Sequence, residues 1–317
     1  MQQFQNILVG IDLSHGDRLA TSELNLPTQI AIRRAIWLAE HSSAELTFFA
    51  ALDISAHTEE ILADEFDAVT HSVKSDAKQV LDELVAQAVE KGVSAKSELV
   101  IGEPWKEIIH SVIDKKHDLV IVGTANRGTV SRFFFGSTGM KLLRNCPCPV
   151  WVSRPDPNIK DLNILVASEL SDDSLDLLHL AVNAGQLAEC QIHLVHALED
   201  TMSHRLWLRS LPDEKVQEFH QQKQNEIEQA LQEQLSQTDH RTLQNPVNVH
   251  VKEGPADVVI LDLIEELGID LLMMGTVARS GISGLILGNT AERLLGHVSC
   301  SVLAVKPKDF ECPIRFD

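Results

Sequence analysis

Asn6-Ile-Leu-Val-Gly-Ile-Asp-Leu-Ser14 returns as Asn163-Ile-Leu-Val-Ala-Ser-Glu-Leu-Ser171, 157 residues further along the chain. Two later stretches also recur, both at an offset of 152. Asp118-Leu-Val-Ile-Val-Gly-Thr124 matches Asp270-Leu-Leu-Met-Met-Gly-Thr276, and Cys148-Pro-Val-Trp-Val-Ser-Arg-Pro155 matches Cys300-Ser-Val-Leu-Ala-Val-Lys-Pro307. Offsets this large and this nearly constant mark a duplicated domain; solenoid units repeat every ~20–50 residues. The 317 residues therefore divide into a first domain at 1–154, a second at 159–308 and a tail at 309–317. Pro155, Asp156, Pro157 and Asn158 form the expected linker, because two prolines stop the elements on either side.

Within each copy the hydrophobic pattern alternates between two periods. Ile7–Ile11 is a short apolar run bounded by turn formers, which predicts a buried strand. Gln29–His41 carries Ile30, Ile32, Ala35, Ile36 and Ala39 at helical spacing. After a strand at Leu46–Ala51, the apolar positions from Val69 to Ala88 follow the i, i+3, i+4 rule of a long amphipathic helix ending near Gly92. Strand Ser97–Ile101, helix Trp105–Lys115, strand Leu119–Val122, helix Ser137–Arg144 and strand Val150–Ser153 complete the first copy. The second copy keeps this order, with Asp213–Gln237 as its long helix. Regular alternation predicts an α/β protein of two tandem five-stranded parallel sheets, each covered by helices on both faces. Ligands of such sheets bind at the carboxyl ends of the strands.

Composition narrows the function. Apolar residues at 44% and charged residues at 23% describe a globular chain, not a disordered one. The net charge of −19 opposes counterion release at phosphates, so nucleic acid is not an expected partner. The acid is uneven, net −5 up to Arg154 and net −14 beyond it, so a polyanionic ligand meets less repulsion in the first half. Neither a polybasic cluster, a signal peptide nor an apolar run of membrane-spanning length is present, which argues against a membrane partner. Cys146, Cys148, Cys190, Cys300 and Cys312 include no CxxC pair and read as reduced thiols of a cytoplasmic protein.

The chemistry concentrates after the fourth strand of each copy. Gly123-Thr-Ala-Asn-Arg-Gly-Thr-Val-Ser-Arg-Phe-Phe-Phe-Gly-Ser-Thr138 parallels Gly275-Thr-Val-Ala-Arg-Ser-Gly-Ile-Ser-Gly-Leu-Ile-Leu-Gly-Asn-Thr290. In both, a glycine ends a strand, a loop bearing Gly128 or Gly281 follows, and Gly136-Ser137-Thr138 or Gly288-Asn289-Thr290 opens a helix. This is an anion cradle: glycines admit phosphate oxygens to backbone N–H groups, the helix start adds partial positive charge, and a hydroxyl donates once more.

The spacing Gly-x2-Gly-x9-Gly-Ser/Thr resembles the nucleotide motif of the universal stress protein family, and the resemblance covers nearly the whole chain as a tandem. It implies an adenine-nucleotide α-hydrolase-like fold and a site for ATP, ADP or AMP, with or without Mg2+. In the first copy Gly123, Gly136 and Ser137 match the motif, and Asn126 stands for its second glycine. In the second, Gly275 and Gly288 match, with Ala278 and Asn289 as departures. Asparagine tolerates a left-handed backbone better than alanine, so Asn126 damages the motif less than Ala278. Asn289 keeps an amide donor in place of the hydroxyl. The family's aspartate after the first strand maps to Asp12 and Glu169, and its base-pocket residue at the second strand end to Ala51 and Ala197. The first half is the better expected site. The resemblance also implies that terminal strands Val150–Ser153 and Val302–Val305 pair the halves as an internal pseudo-dimer, with a homodimer possible between chains.

Each of these residues also has a plainer role. Asp12 and Glu169 can cap the segments that follow them, and the loop glycines can serve turn geometry alone. Arg127 and Arg279 can pair a phosphate or lie in solvent. Phe133–Phe135 reads as packing, since the equivalent Leu285–Leu287 is aliphatic. His193 and His196 stand three apart on a strand and so face opposite ways. No metal site follows from that pair, although His179, His204 or His250 could join one across space. Walker A, dinucleotide and nucleophile-elbow signatures are absent. No catalytic residue is assigned; at most, slow ATP hydrolysis or self-phosphorylation at Ser137 or Thr138 would need a magnesium ligand that the sequence does not identify. The expected function is a nucleotide-binding stress sensor or protective regulator. The rival is a nucleotide-free scaffold for protein partners or a small apolar ligand.

Overall fold

A computed structural model of the chain describes residues 4–14, 23–53, 66–124, 135–155, 161–199, 212–276 and 287–316. The first repeat runs β1 (Asn6–Gly10), α1 (Leu26–Ser42), β2 (Glu45–Leu52), α2 (Phe66–Glu90), β3 (Ala95–Ile101), α3 (Pro104–Lys115), β4 (Leu119–Gly123), α4 (Gly136–Asn145) and β5 (Val150–Ser153). The second runs β6 (Asn163–Ala167), α5 (Asp172–Leu187), β7 (Gln191–Leu198), α6 (Asp213–Ser236), β8 (Asn248–Glu253), α7 (Ala256–Leu267), β9 (Leu271–Gly275), α8 (Asn289–Leu295) and β10 (Ser301–Val305). Each repeat thus contributes the five strands that alternation predicts. Most of the linker, from Asp156 to Asn158, lies outside the described residues.

The chain folds as two compact units that do not coincide with the repeats. Among the described residues the first unit holds 4–155 and 301–316, and the second holds 161–276 and 287–300. Strand β10 therefore belongs to the first unit, whose strand order is β3-β2-β1-β4-β5-β10. Its strands are parallel except for β5 and β10, which run antiparallel with Val302 opposite Val152 and Leu303 opposite Trp151. The second unit orders its parallel strands β9-β6-β7-β8.

Central strands carry the core. Ile7, Leu8 and Val9 of β1 and Leu119, Val120 and Ile121 of β4 are fully buried, as a parallel strand covered on both faces requires. Helix α1 begins where the Asn25 side chain accepts from the Thr28 N–H at 2.9 Å, with Pro27 in its first turn. It ends where Ser43 turns left-handed.

The repeated Asn and Asp that open the two sequence motifs meet each other. Asp118, at the head of β4, accepts from the backbone N–H groups of Gln5 (2.7 Å) and Asn6 (3.0 Å). The Asn6 side chain in turn donates to the Lys115 and Lys116 carbonyls at the end of α3. Asp270 and Asn163 repeat the arrangement, with Asp270 accepting from Asn163 N–H at 2.8 Å and Asn163 donating to Leu267 and Gly268. One clasp therefore sets strand register and closes a helix end at once. The duplicated sequence shows a net drift of only five residues, but the structure resolves larger changes that nearly cancel. Glu45 and Gln191 open equivalent strands 146 apart, because β1 and α1 are joined by residues 11–25 and β6 and α5 by only 168–171.

Two histidines of the second unit meet across β7 and β8. His193 Nδ1 lies 3.0 Å from His250 Nε2, and the rings stack with centroids 5.3 Å apart. His196 points elsewhere, its Nδ1 2.8 Å from the Ser168 carbonyl, as period-two alternation demands. Among the described residues no group of three or more metal-ligating side chains forms. Burial holds both His193 and His250 below the ordinary histidine pKa of 6.5, with Lys252 adding to the effect at His250.

Two predictions follow from these contacts. Asp118→Ala or Asp270→Ala strands backbone donors and should lower unfolding free energy by about 1–3 kcal/mol in urea titrations. A folded-state histidine pKa below its unfolded value means the unfolded chain binds more protons in acid. Stability should be full above about pH 6.5 and fall below it, and the His193→Leu/His250→Leu variant should show a shallower decline in melting temperature between pH 7.5 and 5.5. The buried His117, lowered by the same cause, leaves part of that slope in place.

Candidate functional site

At the carboxyl ends of β1, β2 and β4 the first unit encloses a cavity of about 360 Å3. That size falls in the range of roughly 300–1,000 Å3 typical of small-molecule sites. Asp12, Ala51, Gly123, Gly136, Ser137 and Thr138 all line it. Of the first-half candidates, Asn126 and Gly128 lie outside the described residues, as do Arg127, Phe133 and Phe134.

Asp12 already has a structural task. Its Oδ1 accepts from the Ser14 N–H at 3.0 Å and from the Ser14 hydroxyl at 2.5 Å, and its Oδ2 accepts from Asn25 Nδ2 at 3.1 Å. Asn25 caps α1, so the carboxylate ties the strand end to the helix start. Its capping role and its place in the cavity wall are compatible, because an ionised carboxylate offers about four acceptor sites.

The two motif glycines that wall the cavity serve different needs. A Cβ on Gly123 would lie 2.7 Å from the Pro27 carbonyl carbon and 2.8 Å from its oxygen, so close packing of α1 on β4 requires glycine there. Gly136 has φ +73°, a left-handed backbone that lets the chain enter α4. Behind it Phe135 is buried and Gly139 packs against it, which makes Phe135 a packing residue in the wall. The first turn of α4 presents Ser137 in an exposed position and Thr138 half-buried, beside N–H groups that have no intrahelical partner.

Several lining residues escaped the sequence reading. Thr28 and Pro104 bring the starts of α1 and α3 to the cavity, and Asp53 adds a second carboxylate. Near Pro104, Glu103 gathers Lys106 Nζ at 2.6 Å, Trp105 Nε1 at 3.0 Å and Lys141 Nζ at 3.2 Å. These hydrogen bonds, that of Lys106 foremost, pull the Glu103 pKa down to about 2. Lys141 lies one turn beyond Ser137 on α4 and sits 4.8 Å from the Trp105 ring centre. The only signal in the sequence was the i, i+4 spacing of Ser137 and Lys141, which places them on one helix face.

The sequence profile of the universal stress protein family matches residues 3–154 and again residues 162–306. The chain belongs to that family, as a tandem of two domains. Universal stress protein E of Salmonella typhi is 29% identical over 331 residues, an alignment covering 100% of this chain and 99% of that protein. The Escherichia coli K12 protein of the same name is 28% identical, covering 100% and 98%. Solved structures share the fold: a putative universal stress protein from Pseudomonas aeruginosa UCBPP-PA14 superposes with a TM-score of 0.65 at 22% identity, covering 97% of this chain and 95% of that one. A universal stress protein from Archaeoglobus fulgidus DSM 4304 gives 0.63 at 17%, covering 96% and 99%.

The second universal stress protein domain builds its strand ends differently. After β6 the buried Ser168 donates to Gln234 Oε1 at 3.2 Å, and Gln234 donates to the Ser171 carbonyl at 3.0 Å. Glu169 is exposed beside this turn, in which Leu170 takes φ +58°. Ala197 is half-buried near the end of β7. Asn289 is exposed and Thr290 half-buried at the start of α8, the same pattern as Ser137 and Thr138. Gly288 has φ −57°, however, so the left-handed entry of Gly136 is not repeated. Gly275 has open space where a Cβ would stand, among the described residues. Ala278 and Gly281 lie outside the described residues, with Arg279.

The two strand-end glycines should therefore respond unequally to one methyl group. Gly123→Ala should cost about 1–3 kcal/mol of stability from overpacking. Gly275→Ala should stay within about 0.5 kcal/mol, both read by denaturant titration.

Proposed function

We propose that this tandem universal stress protein binds an adenine nucleotide (ATP, ADP or AMP) in the strand-end cavity of its first domain and acts as a stress sensor or protective regulator. The observation that carries the reading is the convergence of Asp12, Ala51, Gly123, Gly136, Ser137 and Thr138 on one cavity. Phosphates suit the first turn of α4, where N–H groups, two hydroxyls and the helix dipole all favour an anion. Asp12 and Asp53 suit ribose hydroxyls or a nucleotide-bound Mg2+. Ala51 leaves room for a flat base. Binding changes the surface offered to partners. Without an assigned base, hydrolysis is slow or absent.

The nucleotide-free scaffold remains the second reading, supported by Asn126, Ala278 and Asn289 at motif positions. Native mass spectrometry of the purified protein, followed by denaturation and identification of released molecules, separates the two. About one adenine nucleotide per chain is the expected result. Gly136→Val, which forces a β-branched residue into a left-handed backbone, should weaken ATP binding at least ~10-fold by calorimetry, about 1.4 kcal/mol. The equivalent Gly288→Val should have little effect. No bound nucleotide, with no thermal shift from ATP and magnesium, would favour the scaffold.

A further inference from the structure

Between α4 and β5 the chain passes through Cys146-Pro147-Cys148 and bends at Pro147 and Cys148. Cys146, at φ −70° and ψ 130°, ends the helix in extended conformation, and Pro147 cannot return the chain to it. The two sulfurs meet, Sγ to Sγ 3.6 Å, in van der Waals contact and without an intervening group. Both thiols are buried, Cys146 completely and Cys148 to 8% exposure. The second repeat keeps Cys300 but has Val298 at the position of Cys146, so it cannot form the same pair.

A cation accompanies the thiols. Lys306, just past β10, donates to the Leu143 carbonyl at 2.7 Å, and its charge interacts with Cys146. Burial brings the Lys306 pKa down to about 8, which still leaves an ammonium at neutral pH. The Cys148 thiol is held protonated by its contact with Cys146 and by burial.

We infer that Cys146 and Cys148 form a two-electron redox site that closes to an intramolecular disulfide, with a small peroxide as oxidant. Cys146 gives up its proton to water and reacts as the thiolate. The sulfur attacks one peroxide oxygen, the O–O bond breaks, and hydroxide leaves to recover a proton as water. Cys148 then attacks the Cys146 sulfenic sulfur, the S–O bond breaks, and the departing oxygen takes the Cys148 proton as a second water. Dithiol and hydrogen peroxide become disulfide and two waters. The sulfurs need to approach only from 3.6 Å to the ~2.05 Å of a bond.

The test treats the folded full-length protein with hydrogen peroxide, then quenches, denatures, alkylates and weighs it. Of the five cysteines, two should resist alkylation, peptide mapping should place the bridge between Cys146 and Cys148, and dithiothreitol should restore all five. Cys146→Val, which installs the residue of the second repeat, should leave every remaining thiol alkylatable, and Cys148→Ser should abolish the bridge and stop the reaction at a Cys146 sulfenic acid, trapped with dimedone. Cys190→Ser should leave the loss of two thiols unchanged. Retention of all five thiols, a bridge to Cys312, or sulfinic acid as the main product would overturn the proposal.

Discussion

Hydrogen bonds between the start of β1 and the head of β4 tie together two central strands of the first unit. Asp118 holds the Gln5 and Asn6 N–H groups, and the Asn6 side chain holds the carbonyls that α3 leaves open. Parallel neighbours have no hairpin to set their register, since a crossover helix separates them in the chain. A side-chain clasp supplies that register instead. With β1 and β4 aligned at their amino ends, their carboxyl ends stop together at Gly10 and Gly123, and the cavity opens there. The duplicate clasp at Asp270 and Asn163 shows why these two residue types survive at the head of both sequence motifs.

A second constraint lies at the far edge of the first unit. Arg34 of α1 is 1% exposed, and its guanidinium donates to Ser153 Oγ at 3.0 Å and Ser301 Oγ at 2.6 Å, beside the Trp151 ring. Ser301 also accepts from the Arg154 N–H. A buried guanidinium is costly unless its donors are satisfied, and here the acceptors come from both β5 and β10. The antiparallel pairing of those strands is thereby tied to the helix that packs under β4. The last strand of the second repeat is held in the first unit by polar as well as apolar contacts.

The cavity and the thiol pair occupy opposite ends of α4. Its first turn gives Gly136, Ser137 and Thr138 to the cavity, and its last residues lead into Cys146 and Cys148. Glu103 ties the middle of the same helix to the start of α3 through Lys141. The phosphate-binding turn and the thiol pair proposed for this protein thus flank one ten-residue helix. The two domains, alike in sequence order, differ at the same points: Gly136 is left-handed where Gly288 is not, and Cys146 is replaced by Val298.

The sequence by itself determined the duplicated domain, the order of strands and helices and most of their limits. Hydrophobic period and turn formers are local signals, and strand Val150–Ser153 or helix Trp105–Lys115 could be read from them directly. It also named six cavity residues: the motif spacing carries Gly123, Gly136, Ser137 and Thr138, and the family resemblance implied Asp12 and Ala51. The family resemblance anticipated the pairing of β5 with β10; only the tertiary structure decided that Arg34 bridges the two through Ser153 and Ser301, that Gly123 is required by Pro27, and that the connection from β1 to α1 is eleven residues longer than its counterpart. Those facts depend on groups distant in the chain: Pro27 and Gly123, Arg34 and Ser301, Glu103 and Lys141. Spacing along one strand or helix cannot report them, since such pairs are set by which elements become neighbours when the sheet forms. The same holds for Cys146 and Cys148, whose sequence shows two thiols and whose fold turns both to one side.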